Sequence, residues 1–247
     1  MTKTLWREII RTLNRTVIQH DIKYYRALEQ EKLAELKKDQ ERGMAVPAEK
    51  AGHPGRVLQK ILDDLLNHPL CKQLTCKPEL YVHHDFGSRI ATFSNVIFVP
   101  FYEWPGEEHP HGLRMLRAAL AHELGHMISR DSEPDQQARS PHNYMNQRME
   151  RRADLIAAHL CGDGGAALAD SLAAKFETEK TFRSGMTGQT SWANRVTSGI
   201  VNGLDRRYPS LESRINYLRK WADRFQHGQA LPDIIIPGTF DSGRYDR

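Results

Sequence analysis

The feature that most constrains this chain is a stripe of leucines and a pair of histidines on one predicted helix. Between residues 113 and 129, apolar residues recur at helical spacing and polar residues fill the other positions. The leucines of the stripe are Leu113, Leu116, Leu120 and Leu124. His122 and His126 lie on the same stretch, within the sequence HELGH. Leu120 precedes His122 by two residues, which is about 200° of helical rotation. We therefore predict a helix that buries its leucines and presents two imidazoles on another face.

Predicted helices also dominate the rest of the chain. Helical patterns cover residues 3 to 41, 56 to 66, 143 to 160, 166 to 180, 192 to 204 and 210 to 225. Two short segments, 80 to 83 and 94 to 99, are rich in β-branched and aromatic residues and are predicted strands. Residues 43 to 55 contain several Pro and Gly residues and are predicted to be a loop. The expected fold class is α+β, mostly helical, with a small sheet beside the helix that carries HELGH.

Composition and charge narrow the class of protein. Hydrophobic residues make up 39% and charged residues 27% of the 247 residues, which is enough apolar material for one substantial core. The formal net charge of +4 is modest and no basic stripe is visible, so we expect no nucleic-acid partner. There is no long apolar run, so we expect no membrane span and no signal peptide. Three cysteines without CxxC spacing predict neither a disulfide framework nor a thiolate zinc site. A cytoplasmic location fits these features, and the oligomeric state is open.

HELGH has the groups that a zinc site requires. Residues four apart on a helix lie about 40° apart around its axis, so His122 and His126 can reach one zinc ion at about 2.0–2.1 Å. Glu123 could hydrogen-bond to water at that ion and take its proton as the water attacks a carbonyl group. A chain with 12 histidines can produce this short motif by chance, so the motif alone is only moderately specific.

Three positions in the sequence are candidates for a third metal ligand. The metzincin pattern requires a histidine at position 132, where this chain has Ser132. His142 could coordinate a metal, but it lies in a predicted loop. Glu150 lies on the next predicted helix, and Asp154 follows one turn later on the same face. One carboxylate could bind the metal while the other holds the outer N–H of a ligand histidine. Taken alone, the pair is better explained as two exposed acids on a charged helix face.

Two segments together resemble a known family. Residues 116 to 128 (LRAALAHELGHMI) and 150 to 176 (ERRADLIAAHLCGDGGAALADSLAAKF) resemble the HtpX/CaaX-prenyl-protease type of gluzincin zinc metallopeptidase. That family couples HExxH to a later ExxxD and to a downstream HPxxxxR element, which YPSLESR at residues 208 to 214 matches in part. The resemblance extends from residue 78 to residue 220 and leaves residues 1 to 70 unmatched. It implies a bound Zn²⁺ and hydrolysis of a protein or peptide substrate.

The resemblance implies a role for each matching residue. The zinc ligands would be His122, His126 and Glu150. Glu123 would be the general base, and Asp154 would support a ligand histidine. Tyr208 or Arg214 would donate a hydrogen bond to the developing oxyanion, although the family has a histidine where this chain has Tyr208. The family's integral-membrane members also have transmembrane helices that this chain lacks. By this interpretation the chain divides into an N-terminal helical region (1 to 70), a zincin-like catalytic domain (71 to 227) and a C-terminal tail (228 to 247).

The predicted strand at residues 95 to 99 also acquires a role from the resemblance. An edge strand beside the active-site helix can bind an extended peptide by adding it to the sheet. Asn95, Val96 and Ile97 are therefore candidate substrate-binding residues. An ordinary core strand would explain the same residues, and the two interpretations are compatible.

Other functions stay open. A regulatory peptidase of the ImmA/IrrE kind also uses a HELGH-like helix, although it usually has another residue where Asp154 lies. A zinc-binding interaction module without turnover and a helical scaffold without metal are the remaining alternatives. A second metal site could involve His83, His84, His109 and His111. Exposed loop histidines are the simpler explanation for these four.

Overall fold

The structure, a computed structural model, describes five parts of the chain. These are residues 3–84, 90–131, 133, 144–186 and 209–234, with side chains described for 19–84, 90–131, 133, 147–178 and 209–234. The described part is mostly helical and contains one small mixed sheet, which confirms the expected α+β class. Among these residues, no helix combines the length and apolar character that crossing a bilayer requires.

Within the described ranges six α-helices follow one another. They are α1 (Lys3–Glu41), α2 (Gly52–Leu66), α3 (Pro110–Ile128), α4 (Tyr144–Cys161), α5 (Ala166–Met186) and α6 (Leu211–Gln226). Helix α2 begins before the predicted residue 56, because Pro54 fits the first turn of a helix, where the N–H that proline lacks has no partner. Helix α5 continues past its predicted end at residue 180. The helix predicted at residues 192 to 204 lies outside the described residues.

Four short strands form the sheet. They are β1 (Ala45–Pro47), β2 (Glu79–His83), β3 (Ala91–Phe93) and β4 (Val96–Pro100), in the order β1-β2-β4-β3. The central strands β2 and β4 are parallel, and each outer strand is antiparallel to its neighbour. Strands β1 and β3 were not predicted, because three residues are too few to show an alternating pattern. The loop predicted at residues 43 to 55 instead contains β1, a short 3₁₀ turn and the start of α2.

The expectation that residues 95 to 99 form an edge strand is wrong. Strand β4 is paired on both sides, with β2 in parallel and with β3 in a tight hairpin. Asn95 lies in the hairpin turn, where its side chain donates to Glu79 at 3.1 Å. Val96 and Ile97 are 2% and 0% exposed. These three residues therefore have no free strand edge to offer a peptide. Of the four strands in the described ranges, the outer strand that contacts α3 is β3.

Apolar side chains cover both faces of the sheet. Leu80 and Val82 of β2 enter the main core, which also contains Leu58 and Leu62 of α2. Tyr81 points to the opposite face and packs in a smaller cluster with Leu36 of α1. Alternating side-chain direction along β2 thus supplies two separate apolar layers. The division of the chain at residues 70 and 227 stays a prediction.

The predicted apolar faces of α3 and α4 are confirmed where their side chains are described. Leu116, Leu120 and Leu124 are buried, and Leu113 is partly buried. On α4, the predicted buried residues Met149, Ala153, Ile156 and Leu160 are all 8% exposed or less. The two helices pack against each other along much of their length. This packing brings the HELGH segment next to the ERRAD segment at residues 150 to 154.

Candidate metal centre

The two histidines of HELGH lie in the last turns of α3. Their Nε2 atoms are 3.2 Å apart, and the ring planes are inclined at 84°. His122 is buried, and His126 keeps partial exposure. The four-residue spacing on one helix therefore directs the same nitrogen of each ring toward a common point.

Glu150 of α4 faces both rings. Its Oε2 lies 3.5 Å from Nε2 of His122, and its Oε1 lies 3.5 Å from Nε2 of His126. One ligand atom from each of these three residues lies within 4.8 Å of the other two, so the group could hold a metal ion. Their side chains are 11–15% exposed, so the site is not sealed from solvent. Two imidazole nitrogens and one carboxylate oxygen are a donor set that binds divalent metals such as zinc and iron.

Asp154 holds the outer nitrogen of His122. Its Oδ1 lies 2.9 Å from Nδ1 of His122, and the Asp154 side chain is completely buried. Burial raises the pKa of Asp154, but the hydrogen bond from His122 and the charge of Arg214 together bring it below its ordinary value. An ionised Asp154 accepts the Nδ1–H of His122, which leaves the Nε2 lone pair facing Glu150 and His126.

Arg214 of α6 ties the two carboxylates of α4 together. Its Nε donates to Asp154 Oδ2 at 2.9 Å, and its Nη1 lies 2.8 Å from Glu150 Oε2. The hydroxyl of Tyr217, one turn further along α6, also donates to Asp154. Burial lowers the pKa of Arg214, but Asp154 and Glu150 raise it above its ordinary value, so the guanidinium stays charged. Arg214, which the sequence predicts to be a site residue, thus forms ion pairs with Asp154 and Glu150. Tyr208 lies outside the described residues.

Glu123 lies beside the same group. Burial raises the pKa of its carboxyl group above the ordinary value, although His122, His126 and Arg214 act in the opposite direction. A carboxylate with a raised pKa is a stronger base than an ordinary glutamate. Its side chain is partly exposed, so solvent can reach it.

Two residues at the site were not anticipated from the sequence. Asp131 lies 3.2 Å from Nδ1 of His126, on the side away from Glu150. Tyr217 reaches Asp154 from α6. An aspartate five residues after the second histidine was the available signal for Asp131. For Tyr217, the signal was only its position one turn after Arg214.

Among the residues that the structure describes, no second group of potential metal ligands includes His83, His84, His109 or His111. His83 lies 3.3 Å from Asp39, and the ring of His84 packs on Phe101. Across the part of the chain that the structure describes, His122, His126 and Glu150 are the only group of three potential ligands. His142 and Ser132 lie outside the described residues.

Comparisons of the chain with protein-family models, with curated proteins and with solved structures gave no match. The resemblance to the HtpX/CaaX-prenyl-protease type therefore rests on the sequence segments themselves. What the structure adds is independent of it: three potential ligands brought together from two helices, with a carboxylate behind each histidine. The site is a candidate metal centre in which Asp154 and Asp131 orient the rings of His122 and His126.

Proposed function

We propose that this protein is a zinc-dependent endopeptidase that hydrolyses peptide bonds of a protein or peptide substrate. The observation that carries the proposal is the convergence of His122, His126 and Glu150, with Glu123 beside them. A purely structural metal site in proteins is usually closed by four protein ligands. Here three potential ligands come with an additional carboxylate and retain access to solvent, which favours catalysis.

Zinc is the metal that this donor set favours. Imidazole nitrogens suit zinc, copper, iron and nickel, and a set of two histidines and one glutamate is characteristic of catalytic zinc. His122 and His126 would bind through Nε2, because their Nδ1 atoms face Asp154 and Asp131. When bound, zinc supplies Lewis acidity that activates water and polarises a carbonyl oxygen.

Glu123 would perform the proton transfers. Its carboxylate accepts the proton of the attacking water and later delivers that proton to the leaving amine. A raised pKa helps the first transfer, since a more basic carboxylate is a better acceptor for the proton of the water. Glutamine at this position has nearly the same shape but cannot accept the proton.

Arg214 would keep the carboxylates of Glu150 and Asp154 in place. Its Nε contacts Asp154 and its Nη1 contacts Glu150. Arg214 would therefore orient both the third metal ligand, Glu150, and the aspartate that holds His122. Tyr208 stays the candidate donor to the oxyanion, as the resemblance implies.

An extended substrate would add to β3, the outer strand next to α3. A peptide paired with that edge gains main-chain hydrogen bonds and runs alongside the helix that carries Glu123. Asn95, Val96 and Ile97 are not proposed to bind the peptide, because Asn95 lies in the hairpin turn and β4, which contains Val96 and Ile97, has a partner on each side.

The decisive test is Glu123→Gln, measured for zinc content and for cleavage of an unfolded casein-like protein. We expect one zinc per chain in the parent and in E123Q, with cleavage by the parent only. Glu133→Gln is the matched control, because Glu133 pairs with Arg130 and is not part of the group of three potential ligands. Cleavage by E123Q at the parent rate would show that Glu123 is not the base. Zinc binding without any hydrolysis by the parent would favour a non-catalytic interaction module.

A further inference from the structure

The chain turns back on itself immediately after α3. The amide of Arg130 donates to the carbonyl of Met127 at 3.0 Å, and the amide of Asp131 donates to the carbonyl of His126 at 2.9 Å. These two bonds, with Arg130 at a φ of 59°, form a Schellman turn. The left-handed residue of such a turn is usually glycine, so an arginine here indicates that the turn is set by its surroundings. The turn places Asp131 beside the last turn of the helix.

Asp131 uses its two carboxylate oxygens for two different partners. Its Oδ2 lies 3.2 Å from Nδ1 of His126, and its Oδ1 accepts a hydrogen bond from Arg152 of α4. The Asp131 side chain is only 5% exposed. Arg152 follows Glu150 by two residues, so the helix that supplies the third potential ligand also anchors Asp131.

The same layout occurs on the other imidazole. Nδ1 of His122 faces Asp154, which is held by Arg214. Each histidine therefore has its own carboxylate, and each carboxylate has its own arginine. Two such pairs arriving from different segments are difficult to explain as chance surface ion pairs, because both aspartates are buried.

We propose that Asp131, held by Arg152, is a positioning residue that sets how tightly the centre retains its metal. This inference rests on the proposed zinc site. The carboxylate fixes the tautomer of His126 with the proton on Nδ1, so the Nε2 lone pair is available. It also raises the basicity of the ring, which strengthens its bond to a divalent ion. Loss of such a partner lowers metal affinity by about 10- to 100-fold.

The experiment measures Zn²⁺ affinity by competition with a chromogenic chelator. We expect Asp131→Ala to weaken binding by about 10- to 100-fold. Asp131→Asn should weaken it less, because the amide oxygen can still accept the Nδ1–H but carries no charge. Asp163→Asn is the matched control, because the partly buried Asp163 accepts hydrogen bonds from the amides of Gly165 and Ala167 and is not part of the group of three potential ligands. The D163N variant should bind zinc with the affinity of the parent.

Substitution of Arg152 provides a second test of the same inference. Arg152→Gln should weaken zinc binding in the parent background and have little further effect in the D131N background, because both changes act through the same carboxylate. Cobalt substitution adds a spectroscopic readout. At saturating Co²⁺, the visible absorption bands should shift in D131N and stay unchanged in D163N.

The outcomes separate this inference from the proposed function. If the parent binds zinc and D131N, D131A and R152Q bind it with the same affinity, the positioning role is overturned and the metal centre stands. If the parent binds no zinc, the metal centre itself falls, and the positioning role falls with it. Weakened zinc binding in the Asp131 variants, with D163N unchanged, supports the inference.

Discussion

Gly125 of α3 lies directly against the backbone of Ala153 in α4. A Cβ atom at Gly125 would be 2.7 Å from the carbonyl oxygen and 2.8 Å from the Cα of Ala153. Glycine is thus required where the helix that carries both histidines meets the helix that carries Glu150. The close approach of these backbones sets the distance between the potential ligands.

Gly125→Ala should force α3 and α4 apart. We expect a loss of about 1–3 kcal/mol in the free energy of unfolding, which is typical of overpacking, together with weaker zinc binding. Urea denaturation and chelator competition measure the two effects. The contacted atoms belong to the backbone, so adding Ala153→Gly should not rescue the variant. A G125A protein with parental stability and zinc affinity would contradict this account of the helix contact.

Arg214→Gln should be strongly destabilising in zinc-free protein. The change removes the cation between Asp154, which is fully buried, and Glu150, whose side chain is 14% exposed. Removing one partner of a buried ion pair lowers the free energy of unfolding by about 3–5 kcal/mol. Arg219→Gln is the control on the same helix, since Arg219 is exposed and its loss should change stability by less than about 0.5 kcal/mol. Equal unfolding midpoints in urea for R214Q and R219Q would show that Arg214 does not bind these carboxylates.

An extended substrate peptide should protect β3 from hydrogen exchange. The experiment uses the E123Q variant, which keeps the peptide intact. The β3 amides that point away from β4 should exchange more slowly with peptide bound, because an added strand would accept hydrogen bonds from them. Amides of β4 should change little, since β4 already has a partner on both sides. Protection confined to other parts of the chain would contradict the assignment of this edge.

The three cysteines should differ sharply in reactivity. Burial raises the pKa of Cys71 to about 11 and, with the charge of Asp163, that of Cys161 to about 12, so neither forms much thiolate at pH 8. Cys76 is exposed. Iodoacetamide at pH 8 should therefore modify Cys76 first in native protein and all three thiols in denatured protein, as mass spectrometry would show. Equally rapid modification of Cys71 would mean that the core around α2 is not packed as described.

Periodicity in the sequence predicted the parts of the fold that are long. Helix α3 spans five turns, and its leucines repeat often enough to define the buried side, so His122 and His126 could be placed on another face. The strand at residues 80 to 83 was predicted from its β-branched and aromatic residues. Strand β3 is too short, at three residues, to show a period, and a sequence pattern without β3 leaves β4 with one edge unpaired.

The contacts that complete the site depend on packing that no local pattern encodes. Glu150 and Asp154 could be paired from their spacing, but their burial follows from the approach of α4 to α3 at Gly125. Asp131 reaches His126 only because the chain after α3 forms a Schellman turn around Arg130. Arg214 was a candidate through the resemblance alone, and its contact with Glu150 depends on where α6 packs.

The most direct test of the account is the metal content of purified protein, measured by elemental analysis for the parent, Glu150→Ala and the control Glu133→Ala. Glu150 lies 3.5 Å from the imidazoles of both His122 and His126. Glu133 follows α3 closely in the sequence but pairs with Arg130 instead. After dialysis against a weak chelator, we predict one zinc per chain in the parent and in E133A, and less than a tenth of that in E150A. Loss of a ligand should lower metal affinity by more than the roughly 10-fold that follows loss of a supporting partner. A full equivalent of zinc in E150A would show that His122, His126 and Glu150 do not share one ion.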